Sequence, residues 1–115
     1  MTISNTTLYE LVAKELGIID GNQALAADDA ARIAEKATYA RAWLLEDGKV
    51  YWVDGSIPEA VALPLAMIIA ERCAPQYSRG PQSEYPYTDG ATGYRLLCEN
   101  VSKRSANEAV VSQYF

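Results

Sequence analysis

Apolar residues run almost unbroken from Ala60 to Ala70, and the rest of the hydrophobic pattern is arranged around that stretch. Ser56 and Glu59 have the spacing of a capping box, and Pro58 falls in the first turn, where no backbone donor is lost. Pro75 pushes the residue before it out of the helical region. The pattern predicts a helix within 56–75 that is apolar nearly all round, unlike a surface helix with its polar face. Such a helix is central, covered by the chain's other helices or by neighbouring subunits. Pro64 removes one backbone hydrogen bond and predicts a kink near Ala60. Ile33, Leu44 and Leu97 are expected against its inner side.

Three amphipathic stretches surround it. Thr7 and Glu10 form a second capping box before a short helix with Leu8, Leu11, Val12 and Leu16 on one face, closed by Gly17. Ile18 and Ile19 follow as apolar anchors. Asp28 is the N-cap expected for a longer helix that runs to about Leu45 and ends at Asp47-Gly48. In it Ile33, Ala37, Ala40 and Leu44 share a face, and small alanines favour close helix approach. Val50-Tyr51-Trp52-Val53 reads as an extended link or short strand, with Trp43 and Trp52 over one end of the core. Thr88 or Asp89 caps a last helix from about Ala91 to Ser105, whose stripe is Tyr94, Leu97, Cys98 and Val101; Glu99 and Lys103 form an i,i+4 pair on its outer side. The predicted fold is all-α: a small bundle of about four helices, with residues 1–105 as the helical domain.

Two appendages break the pattern. Residues 76–90 have no hydrophobic period and are rich in Tyr, Pro and Gly, at the upper limit for an unstructured loop in a compact domain. Tyr77, Tyr85 and Tyr87, with Tyr51 and Trp52 from the extended link, are the residues best suited to a partner or subunit interface. Residues 106–115 are expected as an extended tail carrying Val110, Val111, Tyr114 and Phe115. A tail this apolar either packs back on its own domain or docks on a partner.

Composition narrows the chemistry. The chain has 115 residues, half of them apolar, which fits one domain with a small core. A net charge of −5 argues against an autonomous nucleic-acid binder. There is no histidine, so the commonest general base and transition-metal ligand are both missing. Cys73 and Cys98 sit in apolar helical patterns and read as buried free thiols, with a disulfide or a reactive thiol as the alternatives. The carboxylates fall at helix starts and turns, with nothing to position two of them together. No catalytic residue, metal site or cofactor is expected. The N-terminus lacks a signal-peptide pattern, and the apolar run is too short to span a membrane; a soluble intracellular protein is expected.

The order of parts resembles the small helical head–tail connector (adaptor) proteins of tailed bacteriophages, including the podovirus tail accessory factors. The residues that carry the resemblance are Thr-Leu-Tyr-Glu-Leu-Val at 7–12, the Ala/Asp-rich second helix, and above all Ile57-Pro58-Glu59 through Ala74-Pro75 to about Tyr77. The resemblance implies a structural virion protein with no enzymatic activity, made in the host cytoplasm and placed at the head–tail junction. It implies a homo-oligomeric ring of about twelve copies, mounted on the portal protein, that receives the tail or nozzle protein. DNA would pass through the channel without specific binding, and no membrane is involved. The C-terminal residues Val110, Val111, Tyr114 and Phe115 would reach the portal. The other reading of the same residues is a small, dimeric helical regulatory or binding module.

Overall fold

A computed structural model of the chain describes residues 1–19, 24–77 and 90–112, and of residues 77 and 104–112 the backbone alone. Among the described residues it is mostly helical, with four helices, as the pattern predicts, and one two-stranded ribbon that the pattern does not predict. The order is β1 (Thr2–Ile3), α1 (Asn5–Leu16), α2 (Ala27–Glu46), β2 (Ile57–Pro58), α3 (Glu59–Cys73), a 3-10 turn (Ala74–Tyr77) and α4 (Gly90–Ser112).

α3 is the axis of the fold. Val61, Ala62, Pro64, Leu65, Ala66, Ile68, Ile69, Ala70 and Cys73 are all buried on it, and it passes through Pro64 as one continuous helix. α1, α2 and α4 all pack against it. Ile33 and Leu44 from α2 and Leu97 from α4 are fully buried in the same core as Val61 and Ile69, as their spacing predicts. α1 adds Leu8, Val12, Ala13 and Leu16, and Ile18 and Ile19 pack half-buried beside it. Burying each large aliphatic side chain stabilises the fold by about 1.5–3 kcal/mol relative to exposure. Most of the stability therefore comes from side chains that meet at α3.

The helix starts differ from expectation, and each for a local reason. α3 begins at Glu59 with Pro58 as its N-cap, not at a Ser56 capping box. Ile57 and Pro58 are instead extended and pair antiparallel with Ile3 and Thr2. The Glu59 amide donates to the Met1 carbonyl at 3.2 Å, so the N-terminal strand takes over one orphan donor of the helix. α1 starts one turn early: the Ser4 hydroxyl accepts from the Thr7 amide at 3.3 Å, which makes Ser4 the N-cap in place of Thr7. α2 begins at Ala27 with no side-chain cap, and Asp28 and Asp29 lie in its first turn, where they face the positive end of the dipole.

The helix ends follow glycine chemistry. Gly17 and Gly48 both adopt φ near +75°, and the amides that follow reach back to close Schellman turns, Ile18 to Ala13 and Lys49 to Leu44. α4 continues to Ser112, past the Ser105 expected as its end, so the backbone of 106–112 is helical and not extended. Ala106-Asn-Glu-Ala holds no Gly or Pro to stop it. Glu99 pairs with Arg95 at 2.8 Å, one turn back, where Lys103 was the expected partner. Val50–Val53 forms no strand; the short sheet lies at residues 2–3 and 57–58 instead.

α3 and α4 pack closely at Gly93. At Gly93 an added Cβ would lie 2.6 Å from the Pro64 carbonyl oxygen and 2.8 Å from Met67 Cβ. Glycine is therefore required there by space alone. Alanine normally favours an exposed helix interior over glycine by about 1 kcal/mol. Here Gly93→Ala is expected to destabilise by about 1–3 kcal/mol, because the helices must part. Urea unfolding checks this: the midpoint falls with the slope unchanged. A midpoint equal to wild type or higher contradicts the packing.

Candidate functional site

Two surface features combine several side chains. The first is a cleft of about 250 Å³ between α1 and α2. Its floor is apolar, built from Leu8, Ala37, Ile57, Leu65 and Ile69, and Trp52 closes one side. Polar groups stand at its mouth. Arg41 Nη2 donates to the Trp52 carbonyl at 3.2 Å, which fixes the guanidinium. Arg41 Nε lies 4.0 Å from Asp54 Oδ1 and is buried without a hydrogen bond. Asp54 also accepts from Asn5 Nδ2 at 3.3 Å. The Tyr9 hydroxyl is held protonated above its ordinary range, first by burial and then by the charge of Asp54.

The second feature is an aromatic corner where α2, α3 and α4 meet. The Trp43 and Tyr94 rings lie 5.4 Å apart, and the Arg72 guanidinium sits 5.0 Å from the Trp43 ring centre. The Tyr94 hydroxyl donates to Asp47 Oδ2. This bond raises the phenol's ionisation well above its usual value, with a contact to Cys98 adding to it. Nearby, the Glu71 carboxylate accepts from the Gly90 amide and so caps α4 from the neighbouring helix. Tyr39 extends the corner one turn back along α2 and is 63% exposed.

The expected interface residues divide. Trp52 is buried and serves the core and the cleft wall, as a residue covering one end of the core would. Tyr51 is half-buried; its ring meets Trp52 edge-on at 5.1 Å and its hydroxyl donates to Asn100 Oδ1 at 2.9 Å, tying the link to α4. Tyr77 ends the 3-10 turn, and Val110 and Val111 lie in the last turn of α4. Tyr85, Tyr87, Tyr114 and Phe115 lie outside the described residues. Trp43, read as a cover for the core, is 42% exposed and stands at the surface. The Arg41–Asp54 pairing was not foreseen, since no local pattern joins positions 13 apart across a turn.

Cys73 is fully buried, and burial raises its thiol from 9.0 to about 11, with Lys36 opposing the shift, so it is no nucleophile at neutral pH. Cys98 is half-buried, and both cysteines are free thiols. Among the described residues no three potential metal ligands converge, and no helix is long and apolar enough to cross a membrane. The chain matches no known protein-family model, no curated protein and no solved structure. Among the described residues the geometry defines a helical unit with a small mixed cleft and an exposed aromatic corner.

The thiols give a direct check. In the folded state Cys73 keeps a proton that the unfolded chain releases, so stability is full below pH 9.0 and is lost as pH rises toward about 11. Tyr94 adds a loss in the same direction above its ordinary value of 10.0. At pH 8 a thiol reagent should modify Cys98 readily and Cys73 only on unfolding. Cys98→Ser removes the fast reaction, and Cys73→Ala flattens the stability slope between pH 9 and 10. Two fast thiols in the native protein contradict the burial of Cys73.

Proposed function

We propose that the chain is a structural subunit of a head–tail connector, a ring-forming virion protein that joins a phage portal to its tail. The observation that carries this reading is where large apolar side chains remain uncovered. Tyr39 and Leu45 on α2 and Leu63 on α3 are each half or more exposed although the core is complete. Single uncovered apolar side chains on two helices suit contacts with a second copy, and a head-to-tail contact closes into a ring when the rotation permits.

Three further features support it. The stretch that carries the resemblance, residues 57–77, forms β2, α3 and the 3-10 turn, the centre of the fold. The acidic balance, −5 over 115 residues, suits a channel along which DNA slides without sticking. α4 runs on to Ser112 and carries Val110 and Val111 in its last turn, a segment for portal contact.

Electron microscopy of the assembled particle tests the reading; density for this chain as a ring between portal and tail is expected. Deleting residues 106–115 should abolish attachment to the portal while the melting temperature of the helical domain stays within a few degrees. A chain absent from the particle and found as a stable dimer with a cellular partner would replace this reading with that of a regulatory module.

A further inference from the structure

We propose that the exposed face of α2 pairs antiparallel with the same face of a second copy of this chain, about a two-fold axis at Tyr39. The pair does not rest on the connector reading. Where a ring uses Tyr39, the pair is a state of the free chain that opens before the ring closes.

Arg32, Tyr39 and Glu46 stand seven residues apart along α2, and seven residues are close to two helical turns. They therefore form one stripe, turned away from the buried Ile33, Ala37, Ala40 and Leu44. All three are exposed: Tyr39 by 63%, the Arg32 side chain by 53%, and Glu46 at the end of the helix. The stripe reads cation, aromatic ring, anion. Turned end for end about Tyr39, it presents its charges in the opposite order. Arg32 of each copy then meets Glu46 of the other, and Tyr39 meets Tyr39 on the axis. This charge complementarity of the face with itself is what commits it to a second copy.

The other groups on this side of α2 fit the same register. Glu35 comes opposite Trp43 of the second copy, whose ring already carries the Arg72 guanidinium at 5.0 Å, so that carboxylate meets a cation too. Lys36 is half-buried, acts on the Cys73 thiol and comes opposite Ala42. Asp47 is engaged with the Tyr94 hydroxyl. Asp28 and Asp29 lie a turn beyond Arg32, past the end of the second copy's helix, and Asp29 stays paired with Arg32 at 3.5 Å. A guanidinium has five N–H donors, so that contact leaves an edge for Glu46. Glu46 itself joins no ion pair among the described residues. A carboxylate in the last turn also faces the negative end of its own helix dipole, and α2 has no basic residue there. A cation from the second copy offsets that repulsion.

Exposed ion pairs add little affinity, so the rings supply most of the attraction and the charges set the register. From Arg32 to Glu46 the contact runs along only about 21 Å of helix, short of what a stable interface of about 1,000 Å² needs. A weak pair is expected, with a dissociation constant on the order of 100 µM.

Sedimentation velocity of the full chain at low salt, up to about 1 mM protein, tests this; the mass should rise from monomer toward dimer and fall back as salt is added. Arg32→Glu and Glu46→Arg should each weaken the dimer at least about tenfold, because like charges then meet twice across the axis. An equimolar mixture of the two variants should pair within about threefold of wild type, since every contact is again opposite in sign. Circular dichroism of each variant confirms the fold. Should either fail to fold, Tyr39→Asp decides: two carboxylates on the axis should abolish the dimer, and a dimer of wild-type strength overturns the proposal. A chain still monomeric at about 1 mM leaves the face to another partner and overturns it, as does a mixture no stronger than the separate variants. Density for a ring in the particle bears on the connector reading alone.

Discussion

A helix that is apolar on every side has to be surrounded, and α3 imposes that demand on the whole chain. Nine of its fifteen residues are buried. The chain meets the demand with three helices and a two-residue strand. α1 and α2 supply Leu8, Val12, Ile33 and Leu44, and α4 supplies Leu97. At Gly93 the missing side chain lets α4 come down onto the Pro64 carbonyl. Only Ala60, Leu63 and the polar residues at its ends remain exposed on α3.

The same demand explains the ends of α3. Its first amide is satisfied by Met1, and the pairing of Thr2–Ile3 with Ile57–Pro58 fixes the angle at which the helix enters the core. At the other end Glu71 reaches across to the first amide of α4, so the two helices are joined by a polar contact as well as by packing. Tyr51 on Asn100 and Tyr94 on Asp47 tie the connecting segments to α4 in the same way. The buried centre is apolar, and the hydrogen bonds that set the helix directions lie around its rim.

Local pattern revealed the helices and their inner faces, because 3.6-residue periodicity is written into neighbouring residues. Ile33, Ala37, Ala40 and Leu44 on α2 are the clearest case. It did not reveal what depends on distant partners. Ser56 has the right spacing for a cap, yet Ile57 and Pro58 are drawn out by a strand 54 residues upstream, and nothing in 56–59 signals that strand. Ser4 displaced Thr7 as a cap because both hydroxyl residues suit the position and the strand ends at Ile3. The cleft was illegible for the same reason: Arg41 and Asp54 meet only through the turn that carries Trp52 inward. Trp43 and Trp52 look alike in sequence, but one is stacked at the surface and the other buried.

The central claim is that one chain covers α3 without help from a neighbour. Native-state hydrogen exchange, recorded at two protein concentrations well apart, tests it most directly. The amides of Leu65 to Cys73 should exchange only through global unfolding and be equally protected at both concentrations. Rapid exchange along α3 in dilute solution, with protection that grows as the protein is concentrated, would contradict the claim and place the cover of that helix in a neighbouring subunit.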